Sequence, residues 1–339
     1  MMKNIIFASI FGTAIALTVS CNRAVVNDSE QTAPDYLCIA YAWEGDHPLP
    51  PADMVTGINY LAGYPNETCD GLDIHNPARL QKIIDLKKDN PSLKVVLSMG
   101  GANAEAGWVE MTGNDSLRAS FVADCKRVVD QYGLDGLDFD WEFPHNDEEV
   151  ANYIALFKEV RQALGEDKLV TAAAGFWGNG FDLKAAMEHL DYINLMTYDM
   201  GWQAPYHHTA VHRSPLAGVC TLDEALDSCR AKGLMPEDIV LGLAFYGKGD
   251  DTYFKGWTSY RDIELSEGME QRWDSIACVP YVVDSLGTLI LGYDDPTSLK
   301  IKCDYIKEKG LKGGMYWRTE LDNDSLDLTR TVAHELLGR

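Results

Sequence analysis

The sequence has few basic residues for its length, and this shortage limits the partners it can bind. Its 339 residues include 29 lysines and arginines against 52 aspartates and glutamates, a formal net charge of −23. Phosphate-rich partners need clustered basic side chains, so nucleic acid and anionic membrane surfaces are poor candidates. A neutral polysaccharide meets no such penalty, although acidity that merely keeps a secreted protein soluble is the simpler explanation of the charge.

Other common signals are missing as well. There is no C-x-x-C pair, so a cysteine zinc site is not expected. Low-complexity tracts and short repeats are absent, and 46% of the residues are hydrophobic, which suits a globular protein with a large core. Seven cysteines follow Cys21, an odd number, so at least one cannot pair internally. We expect Cys38, Cys125 and Cys303 to be buried, whereas pairing of Cys220 with Cys229 stays open.

The first apolar run, residues 5–19, is too short for a retained membrane-spanning helix. Residues 17–21 resemble a bacterial lipoprotein signal, in which small residues precede a cysteine that becomes lipidated. We therefore expect a lipoprotein signal peptide at 1–20, lipidation at Cys21 and a polar tether at 21–34. This predicts a lipid-anchored, monomeric protein of the bacterial cell envelope, with ordinary secretion as the alternative.

Eight apolar, β-rich segments alternate with amphipathic helical patterns along residues 35–339. The segments are Tyr36–Tyr41, Val55–Leu61, Lys94–Ser98, Gly136–Glu142, Leu169–Gly175, Tyr192–Tyr198, Ile239–Tyr246 and Gly313–Trp317. Near-continuous apolar strands separated by helices are typical of a parallel sheet covered by helices. Eight such units predict an α/β fold, a (β/α)8 TIM barrel, rather than an open sheet.

About 65 residues separate the seventh and eighth predicted strands, more than one helix and two loops require. Residues 248–295 contain alternating runs at Val279–Val283 and Leu289–Tyr293. We interpret them as a small antiparallel α+β insertion on the C-terminal rim of the barrel. Barrel active sites lie on that rim, so the insertion is expected to form one wall of a substrate cleft.

The fourth predicted strand carries an unusual row of acids. Side chains alternate along a strand, so Asp138, Asp140 and Glu142 share one face, opposite an apolar face. Three carboxylates at this spacing cannot all ionise in a confined site, so they should share protons and titrate together. Glu142 lies nearest the rim and is the candidate general acid. A solvated acidic edge strand is the alternative, and the apolar opposite face argues against it.

Clustered acids also bind Mg²⁺ or Ca²⁺, but one strand cannot surround an ion by itself. His207, His208 and His212 lie in a loop between two prolines and could ligate a metal. Their spacing matches no known ligand pattern, so a loop facing solvent or substrate is the favoured interpretation. We expect neither a metal nor another cofactor.

Residues Asp135–Glu142 resemble the D-x-x-D-x-D-x-E signature of glycoside hydrolase family 18, the chitinases and endo-β-N-acetylglucosaminidases. Three further segments are similar to family motifs, in order and at the ends of predicted strands. They are Ser98–Gly101 (S-x-G-G), Met196–Asp199 (M-x-Y-D) and Gly313–Trp317, a glycine pair followed by Met and Trp. The resemblance covers about residues 36–320. The insertion also resembles that of many family chitinases, which favours a chitinase.

The resemblance implies a mechanism in which the enzyme supplies no nucleophile. Glu142 would protonate the glycosidic oxygen while the substrate's own 2-acetamido oxygen attacks the sugar carbon, giving net retention. Asp140 would hold the acetamido N–H, and Asp138, deeper in the barrel, would share a proton with Asp140. Tyr198 would orient the acetamido oxygen by a hydrogen bond.

The resemblance also implies substrate-binding positions, although core packing is an alternative for the weaker ones. They are Tyr41, Ser98, Gly100, Gly101, Met196, Asp199, Tyr246 and Trp317. Two positions depart from the family: Ala102 stands where a sugar-stacking Trp is common, and Lys248 where Arg is common. Four other tryptophans could act either as stacking platforms or in packing: Trp43, Trp177, Trp202 and Trp257.

The sequence therefore predicts a retaining glycosidase that hydrolyses β-1,4-linked N-acetylglucosamine polymers, chitin or chitin oligosaccharides. One alternative is an endo-β-N-acetylglucosaminidase acting on N-glycan cores, since the cleaved bond is chemically similar. A second is a noncatalytic sugar-binding protein. Such proteins typically lose the acid at the position of Glu142, which is present here.

Overall fold

The structure is a computed structural model that describes residues 36–102 and 104–339. The predicted signal peptide, Cys21 and the tether lie outside the described residues. The strands are β1 Leu37–Trp43, β2 Gly57–Pro65, β3 Leu72–Ile74, β4 Lys94–Gly100, β5 Gly136–Asp140, β6 Leu169–Gly175, β7 Tyr192–Met196, β8 Ile239–Ala244, β9 Tyr246–Gly249, β10 Thr258–Ser259, β11 Glu270–Asp274, β12 Val279–Val283, β13 Leu289–Gly292 and β14 Gly313–Trp317. The α-helices are α1 Pro77–Asp85, α2 Trp108–Gly113, α3 Asp115–Tyr132, α4 Asp147–Leu164, α5 Leu183–Ala186, α6 Leu222–Ala231, α7 Pro296–Lys309 and α8 Asp327–Leu337.

Eight parallel strands close into a barrel. Their order is β1, β14, β8, β7, β6, β5, β4 and β2, and β1 pairs back onto β2. This confirms the predicted (β/α)8 barrel. The short strand β3 adds to β2 in antiparallel fashion at its end, which the sequence had not indicated. None of the helices within the described ranges is long and apolar enough to cross a membrane.

The outer face of β5 packs on the helices, as the alternation of its side chains predicts. The Phe139 ring centroid lies 5.5 Å from that of Phe157 on α4, and Trp141 lies 5.3 Å from Tyr153 of the same helix. Trp108 stacks on Trp141 with an interplanar angle of 10°. Burying these rings fixes the register of the strand, because a slip of one residue would drive the acids into the apolar layer.

The predicted insertion between the seventh and eighth barrel strands is an antiparallel sheet in the order β10, β9, β13, β12, β11. It begins at Tyr246, and its helical part is one 3-10 turn at Tyr260–Asp262. The sheet has its own small core: Phe254, Val282, Ile290, Leu291 and Tyr293. A buried ion pair of 2.6 Å between Asp294, after β13, and Lys302 on α7 ties the end of the insertion to the barrel.

All seven described cysteines are free thiols. Cys38, Cys125 and Cys303 are fully buried, as predicted from their positions in a strand and two helices. Cys220 and Cys229 are also buried and do not form a bridge in the described structure.

Candidate active site

A cleft with a volume of about 710 Å³ opens at the C-terminal ends of the barrel strands. Ten of the twelve site residues singled out from the sequence line it: Tyr41, Gly100, Gly101, Asp140, Glu142, Met196, Tyr198, Asp199, Tyr246 and Trp317. The other two, Ser98 and Asp138, lie fully buried beneath its floor. The fold therefore brings together residues from six of the eight barrel strands and the segments that follow them, in the place where barrel enzymes hold their substrates.

Asp138, at the bottom of the acidic row, is saturated by hydrogen-bond donors. Its Oδ2 accepts hydrogen bonds from the Tyr41 hydroxyl at 2.8 Å and the Ser98 hydroxyl at 2.7 Å. Its Oδ1 accepts from the Thr171 hydroxyl at 2.6 Å and the Asn194 amide at 3.0 Å. Both oxygens of this buried carboxyl are therefore fully used by hydrogen bonds. Asp138 is held in one orientation by four other strands of the barrel and has no oxygen left for a substrate.

Asp140, two residues along the strand, has a different environment. Its side chain is nearly buried, and its Oδ1 has no hydrogen-bond partner among the described residues. Burial, then the negative charges of Glu142 and Asp138, raise the pKa of Asp140 well above its usual range. A buried carboxyl without donors is disfavoured as an anion. No hydrogen bond joins Asp140 to Asp138 in the described structure, so the predicted sharing of a proton stays a prediction.

Glu142 lies just beyond the end of β5 and faces the cleft. Burial and the negative charge of Asp199 raise its pKa to about 7. A carboxyl that keeps its proton near neutral pH can act as a general acid.

Asp199 is the opposite case, since its neighbours hold it ionised. Its Oδ1 accepts a hydrogen bond of 2.6 Å from the Tyr246 hydroxyl and lies 3.1 Å from the Lys248 ammonium. Burial tends to raise its pKa, but His208, Lys248 and Tyr246 together outweigh burial and lower the pKa to about 2. The cleft therefore contains an acid with a raised pKa, Glu142, near an acid with a lowered pKa, Asp199, a division typical of acid–base sites.

Glycines allow the strands to approach closely next to the acids. Gly100 has φ of +110°, and a Cβ added there would lie 2.3 Å from the carbonyl oxygen of Asp140. The adjacent Gly101 N–H donates a 2.7 Å hydrogen bond to that same oxygen. A side chain at Gly100 would push β4 away from β5, which explains the glycine pair at this point.

Aromatic side chains form the floor and the rim of the cleft. Trp317 packs against Tyr41 with ring centroids 5.7 Å apart. The four tryptophans that the sequence left undecided all line the cleft: Trp43, Trp177, Trp202 and Trp257. Trp202 is 76% exposed, so its ring is free to stack on a ligand. Trp108 is fully buried beside Trp141 and cannot replace the tryptophan that is missing at Ala102.

Tyr198 lies at the cleft wall with its ring edge-on to Tyr246, at a centroid distance of 6.0 Å. Burial, followed by the charges of the neighbouring acids, raises the pKa of Tyr198 well above its usual range. Its hydroxyl therefore keeps its proton at neutral pH and is available as a hydrogen-bond donor.

The three histidines of the 205–215 loop face separate carboxylates. His207 lies 3.2 Å from Asp274 on the insertion, and His212 lies 2.6 Å from Asp223 on α6. His208 is buried against Asp199. Among residues 36–102 and 104–339, no group of three or more His, Cys, Asp or Glu side chains is arranged to hold a metal ion.

Sequence reasoning missed one charged residue of the cleft, Arg318, which directly follows Trp317 and lines the same wall. It also missed the donors Thr171 and Asn194 that hold Asp138. Both donors could have been predicted from the sequence, because each is a polar residue within an otherwise apolar strand, β6 or β7.

Comparison with known proteins agrees with this geometry. The profile of "Glycosyl hydrolases family 18" matches residues 28–322. Endochitinase 1 of Metarhizium robertsii is 28% identical over 314 residues, covering 81% of this chain and 73% of the relative. Chitinase B of Serratia marcescens is 27% identical over 375 residues, covering 82% of this chain and 75% of the relative.

Among solved structures, a family 18 N-acetylglucosaminidase from Paenibacillus barengoltzii superposes with a TM-score of 0.78 at 27% identity. The alignment covers 89% of this chain and 100% of that one. The four motifs, the closed barrel with its insertion and these matches lead to one conclusion: the chain belongs to glycosyl hydrolases family 18, as a glycoside hydrolase with chitinase relatives.

Proposed function

We propose that this protein hydrolyses β-1,4-linked N-acetylglucosamine polymers by substrate-assisted catalysis with retention of configuration. The observation that carries the proposal is the pairing of Glu142, whose pKa is about 7, with Asp140, whose buried Oδ1 lacks a hydrogen-bond partner in the described structure. The first group can give up a proton at neutral pH. The second can receive a hydrogen bond from a substrate, because a bound N–H would satisfy it.

The division of charge in the cleft argues against an enzyme carboxylate as the nucleophile. Retaining enzymes of the usual kind need an ionised carboxylate that is free to attack the sugar. Asp138 is saturated by four donors beneath the floor, and Asp199 is engaged by Tyr246 and Lys248. Asp140 is disfavoured as an anion. The substrate's acetamido oxygen is therefore the better nucleophile.

In this mechanism Glu142 gives its proton to the glycosidic oxygen as the bond to the leaving sugar breaks. The acetamido oxygen closes on the anomeric carbon, and Asp140 holds the acetamido N–H during the attack. Tyr198 donates its hydroxyl hydrogen to the acetamido oxygen, and Trp317 supports the sugar ring. Positioning a reactive group within the substrate removes much of the entropic barrier to its attack, since the step becomes intramolecular.

The open cleft favours action within a chain. Aromatic side chains line it on several sides, which suits successive sugar rings that stack by their C–H faces. The relative from Metarhizium robertsii bears the name endochitinase. Removal of single N-acetylglucosamine units is a second candidate, favoured by the name of the Paenibacillus barengoltzii structure.

Product analysis separates these possibilities. We expect hydrolysis of chitin hexasaccharide into several shorter products, with no turnover of cellulose hexasaccharide, which carries a hydroxyl in place of the acetamido group. Release of N-acetylglucosamine and pentasaccharide in equal amounts, without other early products, would favour the second candidate. Faster cleavage of an N-linked glycopeptide than of chitin oligosaccharide would favour the endo-β-N-acetylglucosaminidase alternative. Comparable turnover of cellulose hexasaccharide would contradict the mechanism.

We also propose that the enzyme is anchored to the bacterial cell envelope through a lipid on Cys21. The proposal rests on the resemblance of residues 17–21 to a lipoprotein signal. Cys21→Ser should stop labelling by a fatty-acid probe and release the protein from the membrane fraction, without changing its specific activity. Labelling that persists in this variant would contradict the assignment.

A further inference from the structure

Arg318 lies in the cleft wall within a cage of three tryptophans. Its guanidinium carbon is 5.0 Å from the ring centroid of Trp43 and 5.8 Å from those of Trp257 and Trp317. The side chain is 17% exposed and lines the cleft. A guanidinium stacked on aromatic faces is held in place by cation–π attraction, so its orientation is fixed before a ligand arrives.

Beneath Arg318 one buried carboxylate, Glu320, lies near two guanidinium groups. Arg79 and Glu320 are almost completely buried, with Arg79 Nη2 3.6 Å from Glu320 Oε1. Arg318 Nη1 lies 3.8 Å from Glu320 Oε2, too far for a hydrogen bond. Glu320 Oε1 also accepts a 2.9 Å hydrogen bond from the backbone N–H of Trp43. Glu320 is therefore already engaged by Arg79 and by the Trp43 backbone, and it makes no hydrogen bond to Arg318.

The hydrogen-bonding capacity of Arg318 is also unused. Its Nε and Nη1 are buried and have no hydrogen-bond partner within the described ranges. A guanidinium offers five N–H donors and no acceptor, so its remaining edge suits an oxygen ligand. Nη2 is not among these buried atoms and has no hydrogen bond in the described structure, so it is the donor that can reach a ligand. The residue therefore combines a fixed position, a positive charge and one donor nitrogen available at the cleft.

The strand order places this wall opposite Glu142. Arg318 follows β14, and Glu142 follows β5; these strands lie four positions apart in an eight-stranded barrel, on opposite sides of its mouth. In the proposed mechanism Glu142 faces the leaving sugar and Trp317 supports the sugar that is attacked. Arg318 lies beside both Trp317 and Trp43 of the neighbouring strand β1, so in this mechanism the sugar nearest to it is the one that follows on the retained side.

We infer that Arg318 selects for an N-acetylated sugar next to the one on Trp317, on the retained side of the cleaved bond. Its guanidinium donates a hydrogen bond to the acetamide carbonyl oxygen of that sugar. A deacetylated sugar lacks this oxygen and, at mildly acidic pH, carries an ammonium group that the Arg318 guanidinium repels. The inference rests on the proposed function and extends it to a second position of the substrate.

The test is digestion of partially deacetylated chitosan at mildly acidic pH, followed by mass-spectrometric sequencing of the new reducing ends. For the wild-type enzyme we expect N-acetylglucosamine at both the first and the second sugar from the new reducing end. Arg318→Gln should leave the first position unchanged and raise the share of glucosamine at the second about tenfold, the value of one charge-assisted hydrogen bond. Arg272→Gln is the matched control, since this exposed arginine of the insertion does not line the cleft.

Arg318→Lys provides a second variant if the glutamine variant fails to fold. It keeps the positive charge and loses the planar donor edge, so we expect continued exclusion of glucosamine with a several-fold higher KM for chitin oligosaccharides. Glucosamine at the second position of wild-type products as often as in the polymer would overturn the inference, as would a folded Arg318→Gln variant with an unchanged product pattern. Glucosamine at the first position would instead contradict the proposed mechanism itself.

Discussion

The lower and upper parts of the acidic row contain the same kind of side chain in opposite conditions. Asp138 accepts hydrogen bonds from four donors on four other strands, whereas the Oδ1 of Asp140 has no partner among the described residues. Asp138 and Asp140 lie two positions apart on the same strand, β5. The donors around a buried carboxyl, rather than burial alone, therefore decide whether it is held as a structural group or left free to take part in chemistry.

The largest expected effect lies at the top of the row. Glu142→Gln keeps the size of the side chain and removes the proton, so kcat should fall by about 10²- to 10⁴-fold, the usual contribution of a general acid. Binding of chitin oligosaccharides, measured by calorimetry, should be retained. A variant that keeps near-wild-type kcat would show that another group donates the proton.

Asp140→Asn should reduce kcat by roughly 10²-fold, because one positioned partner of the acetamido group is lost. Its free energy of unfolding at neutral pH should be unchanged or higher, since a carboxyl without donors is replaced by a neutral amide. Steady-state kinetics and urea unfolding measure the two quantities. A clear loss of stability would remove the contrast with Asp138.

Asp138→Asn should act mainly on stability. The amide nitrogen would face donors instead of accepting from them, so the free energy of unfolding should fall by about 1–3 kcal/mol. Urea unfolding of Asp138→Asn and Asp140→Asn under the same conditions compares the two positions directly, because both variants replace Asp with Asn. If Asp138→Asn had the same urea midpoint of unfolding as the wild type, the four hydrogen bonds to Asp138 would not be stabilising the barrel.

The smallest expected change is a shift in pH dependence. The general acid works while protonated, so activity should decline as pH rises through the Glu142 pKa of about 7. The negative charge of Asp199 helps to raise that pKa. Asp199→Asn should therefore lower it and move the alkaline limb of kcat/KM toward acid by about one pH unit. A limb that stays in place or moves toward alkali would contradict this role of Asp199.

The sequence predicted the parts of the fold that depend on neighbouring residues. The bounds of β6 and β14 were predicted to the residue, since both are compact apolar runs. Alternation placed Asp138 and Asp140 on the inner face correctly. The predicted strand extended to Glu142, whereas β5 ends at Asp140. The short elements β3 and α2 were not predicted, because three and six residues are too few for a clear period.

The contacts that distinguish the acids could not be predicted in the same way. The Tyr41 hydroxyl reaches Asp138 across 97 residues of sequence, and closure of the barrel alone brings the two together. The cage of Arg318 likewise joins β1, the insertion and the segment after β14. Propensity and alternation describe single segments, so long-range donors and cages appear only in the folded structure.

The central claim is that the upper acids assist a nucleophile carried by the substrate. The most direct measurement is proton NMR of the first product formed from chitin oligosaccharide, recorded before the anomers equilibrate. Attack by the acetamido oxygen and then by water inverts the anomeric carbon twice, so the account predicts that the β-anomer appears first. Initial release of the α-anomer would contradict it, even if Glu142 proved essential.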